Sequence, residues 1–500
     1  MRIGLIPLDE RPVNTRYPAM IADIAGVQLV VPPCELLSVF RTPAPCTQLI
    51  TWLHDMAQQL DALIVSFEML GYGGLIASRI GHESARVILE RIDTLRTIKQ
   101  RCPELPILGF NVITRVSNAN VAIEEPTYWG TYGTRFYQLS QLLDRKEQGQ
   151  NVQTTLQQLY DEFPPHQVRD FVQRRLRNHK INLTALNLLS DQVLDLLVLS
   201  SDDTSPYGLP SHEKRWLVSW ANSLNINDRL LMYPGADEVG CALLARLINA
   251  NVQYRPKIAP LYAVPEGADV IAAYEDVPIH TTVIRQMCAV GAVLAEEDEA
   301  DSLMVINPPL PHREEWSAVH TEQDQQHRRP HLTAMAQSIQ TYQEHQKSVC
   351  VADVAYPNGA DPIFFEALRT TIALPALTAY GGWNTAGNTI GTVLAQGCAA
   401  QQAHTPAQHA AQQRFLLHRY IEDWGYQHLV RRQARARIKE HTDFDEPTTT
   451  TMEATTEWIE QRLNMLVDDL PGFVGAWCVK RVSLPWNRLF EIDFELESLS

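Results

Sequence analysis

The sequence predicts an α/β protein with mainly parallel strands, alternating helices and a helical C-terminal region. Short apolar runs alternate along the chain with longer amphipathic segments. Most of these runs are continuously apolar, which is typical of strands buried on both faces of a parallel sheet. Amphipathic segments such as 83–102 space their apolar residues by three and four positions, as helices do. The alternation indicates either a β/α barrel or an open, doubly wound sheet.

The predicted elements fall into three regions. Residues 1–254 form an N-terminal α/β domain, interrupted by a Gln- and Leu-rich helical insertion at about 124–194. A second α/β series occupies 255–400, and 401–500 is helical and ends in a strand within 488–497. The strands expected in the first domain are residues 2–8, 27–32, 62–67, 106–113, 195–200 and 229–234.

Composition narrows the classes of partner. The formal net charge of −16 disfavours nucleic acids and anionic membranes, because both call for basic patches. The basic run at 431–439 lies in a helical context and is expected to be a solvated helix face. Eight dispersed cysteines without a C-x-x-C pair, and no apolar run long enough to span a membrane, predict a cytosolic protein with reduced thiols.

Polar clusters follow most of the predicted strands. Ligands of parallel α/β sheets and β/α barrels bind beyond the carboxyl ends of the strands. One such Asp is commonly a turn residue or a helix N-cap, but repeated clusters at one edge predict a ligand site. In chain order the candidates are Asp9, Glu10, Arg11 and Asn14; Ser66, Glu68, Tyr72, Gly73 and Arg79; Asn111 and Arg115; Asp202 and Asp203; Asp237 and Glu238; Asp353, Asn358 and Asp361; and Trp383, Asn384 and Asn388.

The composition of these clusters suits a small, hydroxyl-rich substrate such as a sugar or amino sugar. Carboxylates and amides share hydrogen bonds with hydroxyls, and paired carboxylates supply the two roles of glycoside cleavage. We expect Asp203 to be the proton donor and Asp202 the orienting carboxylate, with Asp237 and Glu238 as the second choice of pair. We expect 381–389 to face the same cleft across a domain junction. The residues expected to bind substrate are Asp9, Glu10, Arg11, Asn14, Tyr72, Gly73, Arg79, Asn111, Arg115, Trp383, Asn384 and Asn388. Adjacent residues of a continuing strand point to opposite faces, so both aspartates can enter one site only through a turn.

Two other functions use the same residues. Asp9, Asp202 and Asp237 could hold Mg²⁺ or Mn²⁺ in a metal-dependent hydrolase or lyase, although no cofactor is predicted by spacing. His312, His320, His327 and His331 are expected to lie in a solvated loop rather than to bind a metal. The third alternative is a sugar- or metabolite-binding protein without catalysis.

Six short motifs of the sequence also resemble those of a known protein family. "PLDERPVN" (7–14), "GYGGLIASR" (71–79), "SDDTSPYG" (201–208), "GADE" (235–238), "GGWNTAGNTIGT" (381–392) and "LPWNRLFE" (484–491) resemble a bacterial family known as domain of unknown function 4127. The resemblance covers nearly the whole chain, and it implies no established activity and no catalytic residue. By a more distant analogy, a strand-end Asp-Asp pair is similar to the catalytic pair of some β-N-acetylglucosaminidase-type barrels.

Overall fold

The computed structural model describes residues 1–311, 315, 321–441 and 446–499. The chain forms two compact units. The first comprises Met1–Glu10, Gln28–Leu243 and Tyr274–Val277, and the second comprises Arg11–Val27, Leu244–Ala273 and Pro278–Ser500. The three-part division expected from composition is a different description of the chain and stays a prediction.

Strands and helices alternate through both units. The strands are β1 (Arg2–Ile6), β2 (Gln28–Val30), β3 (Ala62–Ser66), β4 (Ile107–Ile113), β5 (Leu196–Ser201), β6 (Leu230–Pro234), β7 (Lys257–Tyr262), β8 (Val293–Leu294), β9 (Ser302–Asn307), β10 (Ser348–Asp353), β11 (Ala379–Gly381), β12 (Trp477–Ser483) and β13 (Asp493–Ser498). The α-helices are α1 (Pro12–Ala25), α2 (Cys46–Met56), α3 (Leu75–Ile80), α4 (Ala85–Ile92), α5 (Thr94–Arg101), α6 (Trp129–Glu147), α7 (Gln153–Asp161), α8 (Pro165–Ser190), α9 (Leu209–Leu224), α10 (Val239–Asn251), α11 (Ile279–Ala289), α12 (Thr321–Glu344), α13 (Pro362–Thr371), α14 (Ala386–Ala400), α15 (Pro406–Arg419), α16 (Arg431–His441) and α17 (Met452–Val467).

The first unit is built on a six-stranded sheet in the order β2-β1-β3-β4-β5-β6. Every neighbouring pair is parallel. Strands β3, β4 and β5 are buried along their whole length, which explains their continuous apolar sequences. The sheet is open, with β2 and β6 at its edges, so the doubly wound alternative is confirmed and the barrel is not formed.

The second unit repeats this topology. Its main sheet has five strands, which are all parallel and lie in the order β11-β10-β9-β7-β8. Counted from the first strand of each unit, both orders read second, first, third, fourth, fifth, which is an order of doubly wound sheets. Helix α1 belongs to this unit although it lies between β1 and β2 in sequence, and it packs against α14 and α15.

The predicted helices are present, with local differences. The helix expected over 83–102 is interrupted at Asp93 and forms α4 and α5. The insertion contains α6, α7 and α8, and α6 and α8 contribute Trp129, Phe136 and Phe171 to its own aromatic core. None of the helices in the described residues is long and apolar enough to cross a membrane.

The C-terminal strand lies in a hairpin that the sequence did not fully predict. Strand β13 is confirmed within the expected region, and it pairs antiparallel with β12. Strand β12 was missed because much of it is exposed or half-buried, so its sequence contains no continuous apolar run.

The carboxyl ends of β1, β3, β4, β5 and β6 share one edge of the first sheet, because all of these strands are parallel. This edge therefore gathers the polar segments that begin at Asp9, Glu68, Thr114, Asp202 and Asp237. In doubly wound sheets, ligands bind at this edge.

A loop glycine provides a test of how tightly this edge is built. Gly73 has a left-handed φ of +86°, and a methyl group added there would lie 2.8 Å from Ala44 N. Gly149 has a similar φ of +81°, but nothing lies within 4 Å of such a methyl group. We expect Gly149→Ala to cost about 1 kcal/mol of unfolding free energy through φ alone, and Gly73→Ala to cost about 1–3 kcal/mol more through overpacking. Urea unfolding of both variants measures the difference, and equal costs would contradict the crowding at Gly73.

Candidate active site

The turn after β5 brings two adjacent carboxylates toward one set of partners. Asp203 has a φ of +37°, in the left-handed region, so the alternation of side chains along the strand ends there. Asp202 is buried, and 27% of the Asp203 side chain is exposed. This turn meets the condition under which both aspartates can enter one site.

Each aspartate is paired with a different arginine. Asp202 Oδ2 accepts a hydrogen bond from Arg79 Nη2 of α3 at 2.5 Å. Asp203 Oδ2 accepts one from Arg115 Nη1, just beyond β4, at 2.6 Å. Both are charge-assisted hydrogen bonds, which are short and stronger than neutral ones.

Two glutamates join these pairs into one network. Glu124 Oε2 accepts from Arg79 Nη1 at 2.6 Å and from Arg115 Nη2 at 3.0 Å. Glu125 Oε1 accepts from Arg115 Nε at 3.0 Å. We refer to the following six residues as the acid–arginine cluster: Arg79, Arg115, Glu124, Glu125, Asp202 and Asp203.

The surroundings of the acid–arginine cluster raise the pKa of two of its carboxyl groups, Asp203 and Glu125. With all six side chains ionised, four carboxylates face two guanidinium groups, and the sum is two negative charges. Burial raises the pKa of Asp203 to about 6, against the opposing effect of Arg115, and the neighbouring Asp202 charge adds to the rise. Burial also raises the pKa of Glu125 despite the lowering effects of Arg115 and Arg79. The cluster can therefore take up and release protons near neutral pH.

The turn is held by other groups, so the two aspartates are not its capping residues. Thr204 N donates to Tyr274 O at 2.8 Å, and Gly208 N donates to Asp144 Oδ2 at 2.8 Å. Ser211 Oγ donates to Ser205 O. Helix α9 begins after Gly208 without a side-chain cap. The aspartates are thus directed at arginines rather than at backbone N–H groups.

Glu68 adds another proton-holding carboxyl at the same edge. It begins a π-helical turn, Glu68–Tyr72, directly after β3. Its Oε1 accepts from Val112 N at 2.8 Å and its Oε2 accepts from Ser66 Oγ at 3.1 Å. Burial raises the pKa of Glu68 to about 7, although these hydrogen bonds oppose the rise and the Asp202 charge supports it.

The remaining acidic candidates of the first unit follow β1 and β6. Glu10 accepts from Phe40 N at 2.5 Å and from Ser38 Oγ, so it fixes the loop that follows β2. Asp9 is buried after β1, as are Asp237 and Glu238 after β6.

Asn111 and Tyr72 face the helical insertion. Asn111 lies inside β4 rather than beyond it, and its Nδ2 donates to Asn182 Oδ1 of α8. Tyr72 is buried, and its hydroxyl donates to Asn178 Oδ1 at 3.0 Å. These contacts give Asn111 and Tyr72 structural partners in α8.

Eight candidates lie in the second unit, and Asp353, Asn358 and Asp361 are among them. Arg11 Nη1 is 3.8 Å from Glu491 Oε1, and its guanidinium lies 4.7 Å from the centre of the Trp486 ring. The others, which are buried, are Asn14, Trp383, Asn384 and Asn388.

The polar groups of the 381–389 segment are bonded locally. Asn384 Oδ1 accepts from Thr385 N and, at 2.7 Å, from Asn388 Nδ2, which is the kind of local bonding expected at a helix start. That this segment shares a cleft with Asp203 stays a prediction.

The carboxyl edge of the second sheet carries a buried polar network of its own. Asn307 ends β9 and donates to Asp353 Oδ1 at 2.8 Å and to Asp361 Oδ2 at 3.1 Å. Arg328 Nη2 lies 2.9 Å from Asp361 Oδ2 and donates to Asn307 Oδ1 at 2.8 Å. Burial and the adjacent Asp361 charge raise the pKa of Asp353 well above its ordinary value. All four side chains are almost fully buried, which suits a structural role.

Several members of these networks were missed from the sequence. Glu124 and Glu125 follow no predicted strand directly, and only their adjacency distinguishes them. Asn307 and Arg328 were likewise not selected, whereas Glu68, Asp353 and Asp361 were selected by position without an assigned role.

Within the described part of the chain, no group of three or more His, Cys, Asp or Glu side chains is arranged to hold a metal ion. His327 and His331 are exposed on α12, so the loop expected around them is a helix in that part, because its Gln-rich sequence favours helix despite Pro330. His312 and His320 lie outside the described residues.

The chain belongs to a family described as a protein of unknown function (DUF4127), whose model matches residues 3–495. This confirms the family resemblance that the motifs carried. No curated protein and no solved structure matches the chain. The family assigns no activity, so the site is interpreted from its geometry.

Replacing Arg115 tests the electrostatics of the cluster. Arg115 stabilises the ionised form of Asp203, so Arg115→Gln should raise the Asp203 pKa further above about 6. Carboxyl ¹³C titration of Asp-labelled protein, with Asp203 assigned by Asp203→Asn, measures the shift. Arg96→Gln, which removes an arginine paired with surface Asp191, is the control and should leave the Asp203 titration unchanged. An unmoved pKa in Arg115→Gln would contradict the assigned pairing.

Glu68 should make folding stability depend on pH. Its pKa is raised from the ordinary 4.5 to about 7, so the folded chain holds this proton more tightly than the unfolded chain. Stability contributed by the protonated form is complete below about pH 4.5 and is lost as the pH rises through about 7.

Glu68→Gln should remove this loss of unfolding free energy at rising pH, which amounts to about 3 kcal/mol. Denaturant titrations at pH 5 and pH 8 measure it. Glu104→Gln, at an exposed position, should retain the wild-type dependence on pH. A Glu68→Gln variant with the full wild-type loss would refute this interpretation.

Proposed function

We propose that this protein is a glycoside hydrolase acting on a small polar sugar or amino sugar. The observation that supports the proposal most is that the adjacent Asp202 and Asp203 carboxylates are paired with two different arginines of one network. Two carboxyl groups in unlike surroundings can take unlike roles, one holding a proton and the other remaining ionised. Glycoside cleavage requires these two roles.

In this proposal Asp203 is the proton donor. It is the more exposed of the two aspartates and is therefore accessible to a substrate. Burial and the Asp202 charge favour its protonated form, and Arg115 stabilises the carboxylate that remains after transfer. The proton passes to the glycosidic oxygen as its bond to the anomeric carbon breaks. The water that completes hydrolysis supplies a hydroxyl to that carbon and returns a proton to Asp203.

Asp202 is the orienting and stabilising carboxylate. Arg79 fixes its position at 2.5 Å, and its negative charge offsets the positive charge that develops on the sugar ring. Asp237 and Glu238, buried beyond β6, remain the second choice of pair. Glu68 is a further proton-holding group of the same edge.

The proposed partner is a small molecule, not nucleic acid or membrane, in keeping with the net charge of −16. All eight cysteines lie in the described residues as free thiols, which supports the proposed cytosolic location. A metal-dependent hydrolase or lyase would lose activity or thermal stability with EDTA. Saturable sugar binding without turnover would instead indicate a binding protein. A thermal-shift screen of sugars, amino sugars and divalent ions is the single experiment that narrows these three functions most.

Asp203→Asn should retain the fold and substrate binding while losing about 10²–10⁴-fold in turnover. The loss should be smaller for substrates with good leaving groups, because these need less protonation. The measurement is kcat on aryl glycosides of graded leaving-group pKa, together with the melting temperature.

Asp191→Asn is the matched control, since it removes a carboxylate from an arginine pair on the surface, and it should retain turnover. Wild-type turnover in a folded Asp203→Asn variant would remove Asp203 from the mechanism. The Asp203→Asn variant could instead show a large fall in melting temperature, while other carboxylates of the edge are still required for turnover. That result would assign Asp203 to the structure of the turn alone.

A further inference from the structure

The first unit contains a cavity that is not lined by any residue of the acid–arginine cluster. It has a volume of about 910 Å³, and none of the four cluster carboxylates lines it. Its walls come from the loop after β2, from the region of α3 and α4, and from α8 and the segment before α6. A cavity of this size accommodates a small organic molecule.

The charge of the cavity is opposite to that of the chain. Four arginines line it, whereas the lining carboxylates are Glu83 and Asp170. With its histidines neutral, the lining sums to two positive charges, in a chain whose net charge is −16. The arginines are Arg41, Arg91, Arg169 and Arg174.

Both carboxylates are already paired. Arg91 donates to Glu83 Oε1 at 2.5 Å and to Oε2 at 2.7 Å. Arg174 Nε donates to Asp170 Oδ2 at 2.7 Å, and the Tyr128 hydroxyl donates to the same oxygen at 2.8 Å. Although burial opposes ionisation, these bonds hold the pKa of Asp170 below its ordinary value.

The other two guanidinium groups have no carboxylate. Arg41 Nη1 donates to the carbonyl oxygens of Ala122, Ile123 and Glu125 at 2.9, 2.7 and 3.3 Å, which are neutral acceptors. Arg169 makes no hydrogen bond or ion pair with any residue that the structure describes. The excess positive charge of the cavity therefore resides on Arg41 and Arg169.

We propose that this cavity binds a small organic anion through a phosphate or carboxylate group held by Arg41 and Arg169. Guanidinium groups match the geometry of both oxyanions and bind them with charge-assisted hydrogen bonds. The buried ring of Tyr72 and the side chains of Pro43 and Pro126 line the same space and offer apolar surface to the body of the ligand. The site goes beyond the proposed glycoside chemistry and does not depend on it.

Calorimetric titration tests the proposal. The probes are inorganic phosphate, glucose 6-phosphate and glucuronate, with glucose as the neutral counterpart, all at matched ionic strength. We expect saturable binding of glucose 6-phosphate, glucuronate or both, and none of glucose in this cavity. Binding of inorganic phosphate and glucose 6-phosphate without glucuronate would identify the group as phosphate, and the reverse would identify it as carboxylate.

Arg41→Gln and Arg169→Gln should each weaken this binding by about tenfold or more. Arg169 is exposed and makes no described hydrogen bond or ion pair, so its variant should fold normally and is decisive if Arg41→Gln is unstable. Arg86→Gln removes an exposed arginine of the same unit that is paired with Glu90, and should bind like the wild type.

Three results would overturn the proposal: no saturable binding of any anionic probe, unchanged binding in Arg169→Gln, or an equal loss in Arg86→Gln. Asp203→Asn should retain anion binding, so failure of the glycosidase proposal would be seen separately.

Discussion

The edge of the first sheet depends on the neutralisation of two arginines. Arg79 is almost fully buried and 17% of the Arg115 side chain is exposed. A buried ion costs several kcal/mol unless opposite charges and hydrogen bonds meet it. Asp202 and Asp203 reach these arginines across 123 and 88 residues of sequence. Each arginine is therefore compensated from two segments, the turn after β5 and the loop at 122–125.

The two sheets share a strand order but use their carboxyl edges differently. At the second edge, Asn307, Asp353 and Asp361 are fully buried and bonded to one another, so the network fixes the ends of β9 and β10. At the first edge, Asp203 remains partly exposed while its pKa lies near neutrality. A group that exchanges protons with a substrate needs access as well as a suitable pKa. This difference is the reason for placing the proposed chemistry in the first unit.

Most of the fold could be predicted from the sequence because burial on both faces requires continuous apolar runs, and β3, β4 and β5 are such strands. Strand β12 carries too weak a signal, since only one of its residues is fully buried. The assignment of α1 to the second unit depends on tertiary packing, which local sequence patterns do not contain.

Part of the candidate site could also be predicted from the sequence. The rule that ligands bind beyond parallel strands selects Asp202, Asp203 and Arg115 from position alone. It does not find Glu124 and Glu125, because their loop follows no strand directly and reaches the edge only through its pairs with arginines. Nor does it reveal that the carboxylates are matched with cations, since such pairs join residues distant in sequence.

The loop that the sequence did not single out connects the two sites of the first unit. Its backbone carbonyls at 122, 123 and 125 accept hydrogen bonds from Arg41, which lines the cavity. Its side chains Glu124 and Glu125 complete the acid–arginine cluster. Any displacement of Arg41 therefore changes the support of the loop, and any displacement of the loop changes the charge that surrounds Asp203. The position of the loop at 122–125 thus affects the charge compensation of Arg79 and Arg115, and through Arg115 it affects the protonation of Asp203.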